Sequence, residues 1–300
     1  MLVVERPDES APLDAAIDAA NLLGDDAVVA DVERPQGRQL GRRIWSATWP
    51  KLAAIGLGLA VWQVVVWSGW RPEYALPAPS TVFERLGELI ADGTVLDALT
   101  VTARRAAAGF ALALVIGVLI GAVVASSKIA RSAVGSMITG LQTMPSIAWF
   151  PLAILLFKLS EGAILFVVVL GAAPSIANGL IAGIDHVPPV LLRAGHTMGA
   201  RGLQRFRHVV LPASLPSFVG GLKQGWAFAW RSLMAGELLV TLGVFSVGFL
   251  LQQYRDLNDA AGLMAIMIVI LVIGIIVDSV VFGSLDRWVR RRHGLLEEDR

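Results

Sequence analysis

Apolar runs long enough to cross a bilayer, separated by short polar breaks, organise most of this chain. A hydrocarbon core of about 30 Å takes roughly 20 residues of helix. Six segments meet that length, at about 51–67, 106–125, 133–157, 163–184, 215–243 and 263–281. The pattern predicts an all-α membrane protein with six transmembrane helices. Trp45 and Trp49 precede the first segment, and Trp67 and Trp70 close it, as interfacial aromatics do. Beyond it, Pro77-Ala78-Pro79 stops any helix, and Thr81 with Glu84 forms a capping-box pattern. Val82, Phe83, Leu86, Leu89 and Ile90 then recur at helical spacing. They predict an amphipathic helix lying on the outer surface or packed on the bundle. Gly117 and Gly121 have the GxxxG spacing that lets helix backbones approach closely. Pro145 and Pro151 interrupt the third segment, with Trp149 between them. Freed carbonyls survive at membrane depth only where they are buried in protein or line a cavity, so this break is a candidate pathway element.

Basic residues set the orientation. Arg38, Arg42, Arg43, Lys51, Lys128, Arg131, Arg193, Arg201, Arg205, Arg207, Lys223, Arg287, Arg290, Arg291 and Arg292 fall on one side. Arg71, Arg85, Arg104, Arg105, Lys158 and Arg255 fall on the other, several beside acidic residues. The richer side is cytoplasmic, so both termini are expected inside. Residues 1–43 are polar and acidic and cannot bury enough surface to offset their ordering. They are expected to be a disordered cytoplasmic tail without a signal-peptide apolar core. The membrane domain then spans 44–292, and 293–300 form a second short tail.

Composition narrows the chemistry. Of 300 residues 55% are hydrophobic and 16% charged, with a mean hydropathy of +0.67. The chain has no cysteine, which excludes disulfides and thiolate metal sites. His186, His196, His208 and His293 lie outside the apolar runs and lack ligand spacing. No Gly-Lys dipeptide occurs, so phosphates cannot be cradled by a P-loop here. No nucleic-acid partner is expected. Charge within the apolar segments is confined to a few positions, of which Arg231, Glu237 and Asp278 are candidates for function. Arg231 and Glu237, six apart on one helix, point in different directions, whereas Asp278 could pair with Arg231 across helices. With so few intramembrane carboxylates and no evident inverted repeat, an external ATPase is the economical engine. An autonomous ion-coupled carrier using Glu237 or Asp278, or a scaffold that recruits a cytoplasmic protein, are the alternatives.

The polar break at 185–212 carries the most specific pattern. Arg193-Ala194-Gly195-His196-Thr197-Met198-Gly199 is followed, after nine residues, by Val209-Val210-Leu211-Pro212. Gly199 permits positive φ in a sharp turn. Ala194 and Ala200 would let a partner's backbone approach, and Leu211-Pro212 is expected to end a second short helix.

This spacing resembles the cytoplasmic coupling loop of MetI-like permease subunits of ATP-binding-cassette importers, in particular the nitrate, sulfonate, taurine and bicarbonate class. Gly199, Val209, Leu211 and Pro212 fall in register, while Arg193 stands where the class has Glu and Gly195 replaces its second Ala. The resemblance extends to Leu76-Pro77-Ala78-Pro79-Ser80-Thr81-Val82, to Arg105 with Gly109-Phe110, and to Pro145 through Leu152. It also covers Glu237 late in the fifth span and Asp278 in the sixth, and departs at Lys158, where the class usually has Gly. It implies a homodimer of permeases, two ABC ATPase subunits that hold ATP and Mg, and a separate extracytoplasmic solute-binding protein. No catalytic residue and no cofactor are then expected on this chain. Arg193, Ala194, Gly195, Gly199, Ala200, Val209, Leu211 and Pro212 would form the ATPase-coupling loop. Pro145, Trp149, Pro151, Arg231, Glu237 and Asp278 would be pathway candidates. The implied cargo is a small anion such as a sulfonate, taurine, nitrate or bicarbonate, crossing a bacterial cytoplasmic membrane, with a vitamin precursor as the alternative.

Overall fold

The computed structural model describes residues 36–240 and 243–292. Contacts divide the chain into two units, Met1–Val65 and Val66–Arg300. What is described of the first is most of helix α1 (Gln36–Trp67), whose Thr48–Trp67 stretch is apolar enough to span a membrane. Helix therefore begins within the stretch expected to be tail, because good helix formers such as Gln39, Leu40 and Arg42 lead into the apolar run without a break. The rest of that tail, and residues 293–300, lie outside the described residues.

The regular structure of the second unit is all helical among its described residues. It contains α2 (Pro79–Ala91), α3 (Thr94–Ser126), α4 (Lys128–Thr143), a 3-10 turn (Ser146–Trp149) and α5 (Phe150–Phe157). There follow α6 (Glu161–Asp185), α7 (Pro189–Thr197), α8 (Gly202–Arg205), a π turn (Phe206–Val210) and α9 (Leu211–Leu239). The chain ends with α10 (Val247–Asp256), α11 (Ala260–Ile276), a second π turn (Val277–Phe282) and α12 (Gly283–Arg292).

Helix α6 is the centre, packed between α3 and α9. The reason is a stripe of small residues at four-residue spacing, Gly171, Ser175, Gly179 and Gly183. A Cβ at Gly179 would lie 2.5 Å from Gly221 Cα of α9, and one at Gly183 would lie 2.6 Å from the Ser214 carbonyl oxygen. The backbones of α6 and α9 are thus in direct contact. On the other side, Cβ atoms at Gly117 and Gly121 of α3 would meet the Ala173 and Ala177 carbonyl oxygens at 2.8 and 3.1 Å. The GxxxG spacing therefore packs against α6, as expected. Ile164, Val167, Val168, Ala172 and Ile176 fill the remaining space beside Leu233, Ala229 and Phe150.

The six-span expectation is met in part, and several local expectations need correction. Among the described residues four helices are long and apolar enough to span a membrane, or five if the bent pair α4 and α5 counts as one. Helix α9 falls outside that set because Lys223, Arg231 and Glu237 interrupt its apolar run. The third segment is a helix pair bent by 104°. Pro145 precedes the 3-10 turn at the bend, whereas Pro151 sits in the first turn of α5, where its missing N–H matters little. The capping box is not made: α2 starts at Pro79, Ala78 is its N-cap, and no side-chain cap forms. Pro is suited to the first helical turn and moves the start ahead of Thr81. The polar stretch expected as an outer loop near Tyr254 is largely the helix α10.

Two substitutions test this packing. Gly179→Leu must displace the α9 backbone, and should destabilise the protein by about 1–3 kcal/mol or more. Gly220→Ala, which meets nothing within 4 Å, should be nearly neutral in the same thermal melt in detergent. Lys158 has φ 59 and ψ −165, a backbone region that favours glycine. Lys158→Gly should therefore raise stability, by about 1 kcal/mol.

Candidate functional site

The loop between α6 and α9 is built by short-range rules. Pro188 and Pro189 preset the start of α7. Its end is a Schellman motif: Gly199 N–H donates to the His196 carbonyl at 3.0 Å and Ala200 N–H to the Gly195 carbonyl at 2.9 Å. That geometry places Gly199 at φ 82, the positive φ expected of it. Gly195 is buried because Val209 lies over it, and a Cβ there would meet Val209 Cγ2 at 2.8 Å. The two halves of the loop are thereby pinned together. Arg193 and Ala194 are exposed, and so are the apolar Met198 and Leu203, at 85% and 79%. Leu211-Pro212 does not end a helix. Leu211 N–H donates to the Phe206 carbonyl in π register, and the wider turn takes up the donor that Pro212 lacks as the chain runs on into α9. At this end of the bundle Arg131 and Asp185 form an ion pair at 2.8 Å, joining α4 to the last residue of α6.

The opposite end is closed by a buried ionic network. Arg105 of α3 pairs with Glu237 of α9 at 3.1 Å, the two being 4% and 2% exposed. Thr102 Oγ1 donates to Glu237 Oε2 at 2.9 Å, and Gly248 N–H donates to the same oxygen at 3.0 Å. Thr102 in turn accepts from Val247 N–H at 3.0 Å. Arg105 also donates through Nη2 to Glu161, the first residue of α6, at 3.0 Å. One carboxylate thus ties together α3, α9 and the start of α10. Packing adds a constraint, since a Cβ at Gly248 would lie 2.3 Å from Glu237 Cβ. Every oxygen of Glu237 is engaged, which suits a structural cross-link rather than a group free to meet cargo.

Between these ends the remaining charges separate. Asp278 pairs with Lys223 at 3.1 Å, not with Arg231. Helices α9 and α11 run antiparallel with Gly274 beside Trp230, so the later Asp278 faces an earlier turn of α9. Arg231 instead lines a cavity of about 310 Å3 with Gln142, Thr143, Pro145, Ser146 and Phe228. Its Nε donates to the Ala227 carbonyl at 3.1 Å, and its guanidinium lies 4.8 Å from the Phe228 ring centroid. Trp149 packs against the central core. Of the pathway candidates, the structure brings Pro145 and Arg231 together and leaves Trp149, Pro151, Glu237 and Asp278 outside that cavity. Sequence reasoning missed Gln142, whose amide is held by Ser175 and Asn178 at 2.9 and 2.6 Å. It also missed the apolar Met198 and Leu203 in the basic loop. A polar residue one turn before a proline, and a Met beside the turn glycine, were the available signals.

Comparison with known proteins places the chain in a family. Residues 113–291 match the family described as binding-protein-dependent transport system inner membrane component. A Bacillus subtilis permease assigned to aliphatic sulfonate transport is 29% identical over 223 residues, 74% of this chain and 80% of that protein. The bicarbonate transport system permease protein of Synechococcus elongatus is 25% identical over 269 residues, 86% and 95% of the two chains. Among solved structures, a chain of the MetNI methionine ABC transporter in inward-facing form matches at a TM-score of 0.51 with 23% identity. That match covers 68% of this chain and 95% of the other, and shows a shared fold.

The network predicts an asymmetric mutational response. Arg105→Met leaves a buried carboxylate without its cation and should cost about 3–5 kcal/mol. Adding Glu237→Leu to it should recover much of that loss. Thermal unfolding of the single and double variants in one detergent checks both.

Proposed function

The chain belongs to the binding-protein-dependent transport system inner membrane components, the permease components of ABC importers, and on that premise we propose how it works. It crosses the membrane six times with both termini in the cytoplasm. Two copies form the pathway. An ATPase pair, holding ATP and Mg, docks on the loop at 185–212, and a solute-binding protein delivers cargo at the opposite end. The cargo is a small anion of the sulfonate, taurine, nitrate or bicarbonate kind, and the setting is a bacterial cytoplasmic membrane.

The observation that carries this reading is the loop itself. It is an ordered, glycine-turned projection joining the two most closely packed helices, with Met198 and Leu203 exposed beside Arg193 and Arg201. Exposed apolar side chains on an otherwise polar turn suit a protein cleft. Coupling through it needs no chemistry on this chain: closure of the ATPase pair would displace the loop and, with it, α6 and α9. The rival of an autonomous ion-coupled carrier is weakened by Glu237 and Asp278, since both carboxylates are already committed to cations within the bundle.

Purification from native membranes with this chain as bait should bring down a P-loop ATPase whose hydrolysis rises with a loaded binding protein. Gly199→Asp should insert and lose no more than about 1 kcal/mol of stability, yet lose more than about 90% of that stimulation, because a side chain disturbs the αL turn at the docking point. Normal uptake by this variant would count against the loop as the coupling element.

A further inference from the structure

Arg231 has no structural partner that accounts for its charge. Arg105, Arg131 and Lys223 each face a carboxylate. Arg231 is exposed, and among the described residues its side chain meets only the Ala227 carbonyl and the Phe228 ring. It lies eight residues before the end of α9, which places it about 12 Å into the helix from the Glu237 end. An unpaired cation at that depth is costly and is retained where a counter-charge comes and goes. The Phe228 stacking and the Ala227 hydrogen bond hold the guanidinium in place without neutralising it.

The wall opposite is polar and positioned. Gln142 gives one Nε2–H to Ser175 and accepts from Asn178, which fixes its amide and leaves a second Nε2–H for a ligand. Thr143 and Ser146 line the same cavity, on the two sides of the Pro145 bend. Thr143 already donates to the Gly140 carbonyl, so its oxygen is oriented. A planar guanidinium matches two oxygens of an oxyanion at once, and hydroxyl and amide donors add to it. The cavity is open and about 310 Å3 in volume, room for a partly hydrated small anion and not for a large solute.

We propose that this cavity is a transit site for a small oxyanion, with Arg231 as its charge-selecting residue and Gln142 and Ser146 as auxiliary donors. The proposal rests on the importer reading for its direction of transport, but the anion preference of the cavity stands on the geometry alone. It separates three charges that the sequence leaves equivalent: Glu237 is structural, Asp278 is balanced by Lys223, and Arg231 selects.

The absence of cysteine permits a direct test in the full-length protein. Thr143→Cys and Ser146→Cys each introduce a single thiol in the cavity wall. The chain is reconstituted in phosphatidylcholine vesicles and labelled with two methanethiosulfonates, anionic sulfonatoethyl and cationic trimethylammonioethyl, with rates normalised to those for a free thiol. The anionic reagent should react faster at both positions. Arg231→Gln should lower that preference about tenfold, and Arg231→Lys should restore part of it. Sodium ethanesulfonate, nitrate or bicarbonate should slow labelling relative to sodium chloride of equal ionic strength. No labelling by either reagent, a preference unchanged by Arg231→Gln, or protection seen only with anionic lipid present would overturn the proposal. The last outcome would assign Arg231 to a lipid headgroup. Co-purification of the ATPase does not depend on any of these results, so failure of this site and failure of the importer reading are told apart.

Discussion

Direct backbone contact between α6 and α9 is the constraint on which the rest of this structure depends. With Gly179 against Gly221 and Gly183 against Ser214, no side chain separates the two helices over about one turn of α6. In lipid, association gains little from the hydrophobic effect, and close van der Waals packing supplies the attraction. The same two helices hold both ends of the 185–212 loop, so whatever grips the loop grips the core. Helix α3 completes the clasp by laying Gly117 and Gly121 on the other face of α6. The functional parts are therefore mounted on one central helix, with the bent α4–α5 pair beside it.

Charge is used differently at the two ends and in the middle. Each end of the bundle is stapled by an arginine and a carboxylate on different helices, Arg105 with Glu237 and Arg131 with Asp185. The first pair is buried, with every oxygen engaged, where an unmatched ion would be severely penalised. The second is part exposed and correspondingly weak. In the span between them, Lys223 and Asp278 cancel, while Arg231 lines an open cavity and faces no carboxylate among the described residues.

How much of this was legible in the sequence depended on the distance between cause and effect. The positive φ at Gly199 and the packing of Gly117 and Gly121 follow from residues a few positions apart, and both were readable. The α6 stripe Gly171-Ser175-Gly179-Gly183 carries an equally regular period, but its meaning needs the partner helix. Arg105 and Glu237 lie 132 positions apart, and no local pattern joins them. Asp278 meets Lys223 and not Arg231 because helix register between α9 and α11 decides which cation it faces. Pro212 does not end a helix because it follows a π turn and falls in the first turn of α9, where a proline's missing N–H matters little. Lys158 is the instructive exception: a departure from the resembled pattern marked a place where the backbone still takes the conformation glycine prefers.

The π turn at Phe206–Val210 has a mechanical consequence. Because it does not break the chain, helical backbone continues from Gly202 to Leu239, a rod about 57 Å long. Pivoted at its middle, such a rod turns an angular change of about 5° into a displacement of about 2–3 Å at each tip, in opposite directions. With such a pivot, a small push on the loop side would arrive at the Glu237 end with its sense reversed.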